Sequence, residues 1–499
     1  MKKLLCCAAG ALAASGCSFI LDFDRFRDAG TDDDAGTVTV SLACGEAPAA
    51  GAGTGCVLDE GLGTGLRAVP AELRGSAPLF DASVIVTVPA GSAVIIAEVR
   101  APTVPSSVVG LTLRVPVDET MDTFTVDVPL TVTLNGEDLG PPLTLTVRYH
   151  PELFVDVGSS VTSDAFEFSN VTVTQGFRAT GTWPLEIVAY GDVHVAAGAS
   201  INVDGLAGGV MAGGPGAAGA AGGPGGAAGN APGAAGSGVG GGAGGLGFDV
   251  ATGAPAQGGG GAGHRAAGGG SGSTLGGPTY GDGRLEPFGP EVAGSGGGGG
   301  GGPMGPGGAG GHGGGALRIR TEGAVLFEGV GARVSADGAL GAPASVDGMA
   351  GGGGSGGAVW ISAAEGVLGA SGTISAAGAP GPAGAGSDGF VRLDVPNGWE
   401  PATIPGVDFN GLAWDPALPE LAATSSVTAA LGYGPLSAGD VEVLDATGAV
   451  VFATSFTTDG MGRTDVVLTL VEGLNVLHAC SPDCVAPLDE DRLAVVYVR

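Results

Sequence analysis

Lysine is almost missing from this chain of 499 residues: Lys2 and Lys3 are the only two, and the remaining basic side chains are 17 arginines, set against 50 Asp plus Glu. The formal net charge is −31 at pH 7, and it becomes −33 once the two lysines are removed. A surface of that sign repels nucleic acid and anionic lipid, and the phosphate contacts that dominate DNA affinity are not available. Amphipathic helical periodicity is also lacking, which excludes a helical bundle. The five histidines (His150, His194, His264, His312 and His478) are scattered with no HxxxH spacing, so no metal site is expected. His264 and His312 stand in Gly-rich stretches with no evident scaffold. No GxSxG element opens a helix after a strand, and GxGxxG matches arise by chance among 103 glycines. The expectation is a protein that is not an enzyme and uses no cofactor.

What is present begins with an address. "MKKLLCCAAGALAASGC" sets two lysines before an apolar stretch from Leu4 to Ala14 and closes on small residues, the pattern of a secretory signal too short to span a bilayer. "Ala-Ser-Gly-Cys" at Ala14 to Cys17 resembles the bacterial lipobox, with Ala14 where that family usually has Leu. The resemblance implies cleavage before Cys17, lipidation of its sulfur and acylation of the new amine, and several acyl chains hold a protein on a membrane far better than one. Ser18 after the cysteine resembles the pattern sorted to the outer membrane. Membrane contact is then expected through the lipid alone, with the signal at 1–16 and a lipidated acidic tether at 17–36, where "DAGTDDDAG" reads as a solvated spacer.

The other cysteines agree with export. Cys6 and Cys7 leave with the signal, and the remaining four form two close pairs, Cys44 with Cys56 and Cys480 with Cys484, which read as structural disulfides. The competing reading of "CSPDC" is a metal or redox site, but only His478 lies near it in sequence and no helix is present to lower a thiol pKa.

Short β-branched runs such as "TVTVSL", "SVIVTVP" and "FTVDVPLTVTL", separated by Pro, Gly, Asn and Asp, predict an N-terminal β-sandwich at 37–178. The last unit, 399–499, repeats the style with "DVEVLD", "AVVFATSFTT" and "LAVVYV". From Ala422 to Arg499 its strand pattern resembles the bacterial immunoglobulin-like modules of exported proteins.

A repeat runs between them at 179–398. "LEIVAYGDVHVAAGASINVDG", "LRIRTEGAVLFEGVGARVSADG" and "VWISAAEGVLGASGTISAAG" align, so that Ile187, Ile319 and Ile361 correspond, as do Val193, Val325 and Val367, and Ile201, Val334 and Ile374. A fourth copy begins at "FVRLDV" with Leu393. A shared phase interrupted by variable insertions is what stacked β-coils produce, each coil covering the apolar row of the next, so the middle is expected to be a β-solenoid. In "LRIR", Leu317 and Ile319 face inward while Arg318 and Arg320 face water. Arg318, Arg320, Trp360 and Arg392 therefore form a candidate ligand face, with no acidic cluster in sequence register beside the arginines.

The largest insertion, Gly205 to Gly315, holds 52 glycines in 111 residues, seven of them consecutive at Gly296 to Gly302. Ordering so many glycines costs more backbone entropy than the net stability of a typical domain, and ordinary core packing cannot offset it. Two outcomes remain open: disorder, or extended three-residue-per-turn backbones packed side by side. Such polyglycine-II bundles occur in some phage adhesins and insect antifreeze proteins. The collagen-like period from Gly213 fails at Ala228. "GGLGFDVA" resembles one calcium nonapeptide of the repeat-in-toxin family, but Asp249 has no tandem copy.

As a whole the order of lipobox, acidic spacer, Gly-rich repeat and terminal β-modules resembles the large exported lipoproteins of predatory and social bacteria such as the myxobacteria. That resemblance implies location more than activity: a lipid-anchored protein of the outer membrane. The strand pattern, the anchor, the spacer and a repetitive middle with no catalytic set lead to the expectation of an all-β, non-enzymatic protein with a structural or adhesive surface role, in contact with surface glycans or envelope proteins, and the charge to that of no nucleic-acid partner. The alternative expectation is a β-helix that binds carbohydrate or processes polysaccharide.

Overall fold

Strands dominate the computed structural model, which describes residues 19–21, 38–44, 56–59, 68–116, 123–139, 141–207, 219, 231–302, 304–343, 348–396, 409–415, 417–487 and 489–499. The expected signal, Cys17 and most of the tether lie outside these residues. Among the described residues the helical content is one 3₁₀ turn, Pro290–Val292, and the chain is all-β.

Among the described residues ten strands precede the repeat: β1 (Phe19–Leu21), β2 (Val38–Cys44), β3 (Cys56–Asp59), β4 (Val69–Gly75), β5 (Val84–Thr87), β6 (Ile95–Arg100), β7 (Val108–Arg114), β8 (Phe124–Leu134), β9 (Glu137–Asp138) and β10 (Leu143–Tyr149). They form two sheets, β1-β2-β4-β7-β6 and β3-β10-β8-β5, with β9 on β8. Period-two alternation turns Leu143, Leu145 and Val147 of β10 and Val128, Leu130 and Val132 of β8 into a single core with Leu42, Leu73 and Leu111. Each such side chain contributes roughly 1.5–3 kcal/mol on burial. The Cys44–Cys56 disulfide, with Cα atoms 5.4 Å apart, joins the β2 sheet to the β3 sheet.

The middle consists of five successive turns of three strands. They are β11 (Leu153–Val155), β12 (Ser159–Thr162) and β13 (Ala165–Phe168); β14 (Val171–Val173), β15 (Gly176–Thr180) and β16 (Leu185–Ala189); β17 (Val193–Val195), β18 (Ser200–Asn202) and β19 (Ala316–Thr321); β20 (Ala324–Phe327), β21 (Arg333–Ser335) and β22 (Ala358–Ala363); and β23 (Gly366–Leu368), β24 (Thr373–Ser375) and β25 (Phe390–Asp394). Each turn gives one strand to each of three parallel sheets, and β26 (Phe409–Asn410) extends the third. The aligned positions of the repeat are register partners: Ile187, Ile319, Ile361 and Leu393 form one inward column, Val193, Val325 and Val367 a second, and Ile201, Val334 and Ile374 a third. All are buried in one core.

The three stacked parallel sheets of the coils begin at Leu153, before the boundary at 178 read from the sequence. The first two turns carry no glycine-rich insertion, and their strands of three to five residues alternate as antiparallel strands would, so their period leaves no mark that separates them from the preceding unit.

All three long insertions leave after the second strand of a turn and return into the third, at β18 to β19, β21 to β22 and β24 to β25. They emerge along one edge of the stack, and in the described residues their backbones are hydrogen-bonded to each other. The central segment is the seven-glycine run itself. Gly294, Gly297 and Gly300 donate to the carbonyls of Gly314, Gly311 and Gly308; Gly298 and Gly301 donate to Gly260 and Gln257; Gly296, Gly299 and Gly302 donate to Ser237, Ala234 and Ala231, all at 2.8–2.9 Å. Direction repeats every third residue, which is the symmetry of an extended chain with three residues per turn. Gly308, Gly311 and Gly314 pass the pattern on to Met349, Gly352 and Ser355 at 2.9 Å. The stretch with least to bury is thus itself buried, and its backbone donors are satisfied by neighbouring backbones.

The last strands are β27 (Ala413–Trp414), β28 (Leu421–Ala422), β29 (Ser426–Gly432), β30 (Ala438–Asp445), β31 (Val450–Thr457), β32 (Arg463–Thr469), β33 (Gly473–Ser481) and β34 (Asp489–Tyr497). Two sheets, β27-β29-β32 and β28-β34-β33-β30-β31, enclose Leu431, Val441, Leu468, Leu477 and Val495. This unit also packs on the first one. Leu421, Leu474, Val496 and Val498 cover Val108, buried Glu72 accepts from the Leu474 N–H, and Arg100 donates to the Leu421 carbonyl at 2.6 Å.

Candidate functional site

The outward face of the third parallel sheet holds a cluster of charged and aromatic side chains. Inward Leu and Ile positions force their neighbours outward, and strict register places Glu186, Arg318, Trp360 and Arg392 in one column across β16, β19, β22 and β25. Parallel strands lie about 4.8 Å apart, so flat side chains in such a column stack. The guanidinium of Arg318 sits 3.8 Å from the Trp360 ring centroid and that of Arg392 sits 4.0 Å from it, with the indole between two cations.

Arg392 is the hub. Its Nε donates to Asp394 Oδ1 at 2.8 Å, Nη2 donates to Asp394 Oδ2 at 2.9 Å and to Asp489 Oδ1 at 2.6 Å, and Nη1 donates to the Arg284 carbonyl at 2.5 Å and to Glu286 Oε1 at 3.3 Å. Trp360 Nε1 donates to Asp394 Oδ2 at 2.7 Å. One side chain thereby ties the last coil, the long insertion and the C-terminal unit together. Burial opposes its charge, but Asp394, Asp489 and Glu286 outweigh that and raise its pKa. Burial pushes the Asp489 carboxyl up against the pull of Arg392, and pushes Asp491, which accepts the Trp414 N–H at 2.7 Å, up to about 7. Arg318 is shifted down by burial and pairs with Glu186 at 3.2 Å.

Two expectations need correction here. The candidate ligand face is not a surface: Trp360 is 3 % exposed and Arg392 1 %, because Leu285, Phe288, Val292 and Ala293 of the insertion fold over them. Arg320 remains exposed but lies outside the stack, in the register column of Ser362 and Asp394. The arginines also have acidic partners after all. Glu186 is in register with Arg318, and Asp394, Asp489 and Glu286 converge on Arg392, two of them from distant segments.

The histidines of the Gly-rich region are held, contrary to expectation. His264 is buried, with Nδ1 2.8 Å from the Gly356 carbonyl, its ring stacked on Tyr280 at 4.4 Å and edge-on to Phe390 at 4.9 Å, and burial pulls its pKa down to about 4. His312 is buried too, and desolvation lowers its pKa. Tyr280 reaches the Ala293 carbonyl at 2.5 Å, and burial pushes its pKa up to about 12. Asp249 accepts from the Ala251 N–H at 2.9 Å and the Thr252 hydroxyl at 2.5 Å, closing its own turn.

Both expected cysteine pairs are bonded, Cys480 to Cys484 with Cα atoms 5.1 Å apart. The sequence reading missed Asp394, Asp489, Asp491 and Glu286. Part of the signal was local, since Arg392 and Asp394 in "FVRLDV" and Asp489 and Asp491 in "DEDRL" are pairs two residues apart that share a strand face. Compared with protein-family models, curated proteins and solved structures, the chain matches none of them.

Proposed function

We propose that the protein is a non-enzymatic component of the bacterial cell envelope, anchored in the outer membrane through lipid on Cys17 and serving a structural or adhesive role at the surface. In this reading the first unit is a β-sandwich, the coils are a β-solenoid, the insertions form a polyglycine-II bundle, and the last unit is an immunoglobulin-like sandwich. The observation that carries the reading is the use made of the Arg318–Trp360–Arg392 stack: this dense cluster of charged and aromatic side chains fastens the last coil, the long insertion and the C-terminal unit to each other. A rigid body held off the membrane by an acidic spacer suits load-bearing or contact. The test is a Cys17→Ala variant followed by membrane fractionation, together with surface attachment of cells lacking the protein. Retention of Cys17→Ala on the membrane, or unchanged attachment and envelope integrity in the deletion, would remove the support for this role.

Exposed aromatics favour a second reading, carbohydrate binding along the coils. Trp183 is 64 % exposed and Phe154 59 %, and flat apolar rings in water are what sugar faces stack on. A glycan array with the chain from Thr37 onward separates the two readings: binding that is lost in Trp183→Ala would replace the structural role, and silence on the array would count against the sugar.

A further inference from the structure

The hairpin between β33 and β34 ends in a loop where Pro482, Val485, Ala486 and Pro487 face solvent. Cys480, on β33, is fully buried, and Cys484 is half-buried in that loop. His478 precedes Cys480 by two residues on the same strand. Its Nε2 lies 3.3 Å from Cys480 Sγ and 2.7 Å from Glu490 Oε2, and Glu490 is the register partner of Cys480 across the hairpin. An ionised carboxylate only accepts, which assigns the proton to Nε2. The single Nε2–H is donated to Glu490 and lies within 3.3 Å of a buried sulfur that can share it once that sulfur carries charge.

We propose that Cys480–Cys484 is an exchangeable disulfide that reacts with small uncharged or cationic thiols, with Cys484 as the sulfur attacked and Cys480 as the leaving thiolate. The incoming thiol loses its proton to water, and its thiolate forms a new S–S bond with Cys484 Sγ. The Cys480–Cys484 bond breaks, and its electron pair stays on Cys480 Sγ beside the His478 N–H. One disulfide replaces another, so no outside oxidant or reductant is needed. Exchange is faster when the leaving thiol is the more stabilised one and the attacked sulfur is the more accessible one. The charge around the loop selects the thiol. Asp483 lies within it and Glu490 closes the other side, with Arg492 paired to Glu490 at 3.5 Å. Negative charge at short range disfavours anionic thiolates that bear a second negative group.

His478, Cys480 and Cys484 also place three donor atoms within 4.8 Å of one another. The proton held on Nε2 by Glu490 favours thiol exchange over metal binding.

The full chain serves as its own control because it carries a second bridge, Cys44–Cys56. At neutral pH the protein is exposed to cysteamine, 2-mercaptoethanol or 2-mercaptoethanesulfonate at equal thiolate concentration, quenched with acid and alkylated. Trypsin then releases residues 464–492 between Arg463 and Arg492 for mass analysis. Expected are opening of Cys480–Cys484 about tenfold or more faster than Cys44–Cys56, the adduct on Cys484, and rates falling from cysteamine to the sulfonate. His478→Leu is expected to slow this opening about tenfold and leave Cys44–Cys56 unchanged. Equal rates at the two bridges, an adduct on Cys480, no dependence on thiol charge, or an unaffected His478→Leu rate would overturn the proposal. So would stoichiometric zinc uptake by the reduced protein that blocks exchange. If His478→Leu does not fold, the adduct position and thiol order in the unaltered protein still decide.

Discussion

At Gly298 an added methyl would overlap the carbonyl of Ala243, whereas at Gly460 a Cβ meets nothing within 4 Å. The two positions test what glycine is for in this chain. Gly298→Ala forces buried backbones apart and breaks the three-fold hydrogen-bond pattern, and overpacking of this kind costs roughly 1–3 kcal/mol. Gly460→Ala only restricts the unfolded chain and is expected to be neutral or to stabilise by up to about 1 kcal/mol. Urea denaturation midpoints of the two variants check this, and equal shifts would mean that the bundle is not held by close backbone approach. At this scale the sequence was legible in part. Inward residues such as Ile319 and Val325 announced themselves by alternation, since burial of an apolar column follows from period. His264 did not, because its burial depends on which glycine layers lie above it, and composition carries no record of layer order.

Strands set the next scale, and β25 and β34 show how a junction is made from alternation. Arg392 and Asp394 share one face of β25, and Asp489 and Asp491 share one face of β34, so two strands deliver one cation and three carboxylates to the same boundary. Arg392→Met leaves Asp394, Asp489 and Glu286 without their cation, and loss of one side of a buried ion pair typically costs about 3–5 kcal/mol. Arg392→Lys is expected to recover little of it, because one ammonium cannot reproduce a fork that reaches Asp394, Asp489 and the Arg284 carbonyl together. Chemical denaturation of both variants reads this directly. Asp491 adds a pH dependence. Its folded pKa is raised to about 7 by burial, above an unfolded value near 3.8, so the folded state holds the proton more tightly. Its stabilising contribution is complete below about pH 4 and is lost as pH rises through about 7. Asp491→Asn keeps an acceptor for the Trp414 N–H and removes the titration. The difference in stability between the original protein and Asp491→Asn should therefore widen from pH 4 to pH 7, by an amount on the order of 4 kcal/mol at most. A constant difference would show that Asp491 ionises freely. The pairs themselves could be read from "FVRLDV" and "DEDRL", but their meeting could not, because Arg392 and Asp489 are 97 residues apart.

For the whole molecule, the consequence of these contacts is closure. The C-terminal unit is fastened to the last coil through Arg392 and Asp489, and it is also packed on the first unit, where Glu72 accepts from Leu474 and Val496 and Val498 lie over Gly110. Nothing in the order of segments along the chain signals that the last strand returns to the first sheet. β7 is buried on both faces, Leu111 and Leu113 inward and Val108 against the last unit, and in the sequence a nearly continuous apolar run of that kind looks no different from any other sandwich strand. Gly110 makes the contact close: a Cβ there would stand 2.8 Å from Val498 and 3.0 Å from Leu421. A unit held at both ends should unfold with the body it is attached to, so the expected thermogram of the original protein shows the C-terminal unit melting together with the rest. Gly110→Leu places a branched side chain where there is no room and separates the first and last units without touching the Arg392 junction. Calorimetry should then resolve an earlier transition for the C-terminal unit, with the remaining transition near its original temperature. Far-apart transitions in the original protein, or an unsplit and unshifted one in Gly110→Leu, would mean that the two ends of the chain touch without supporting each other.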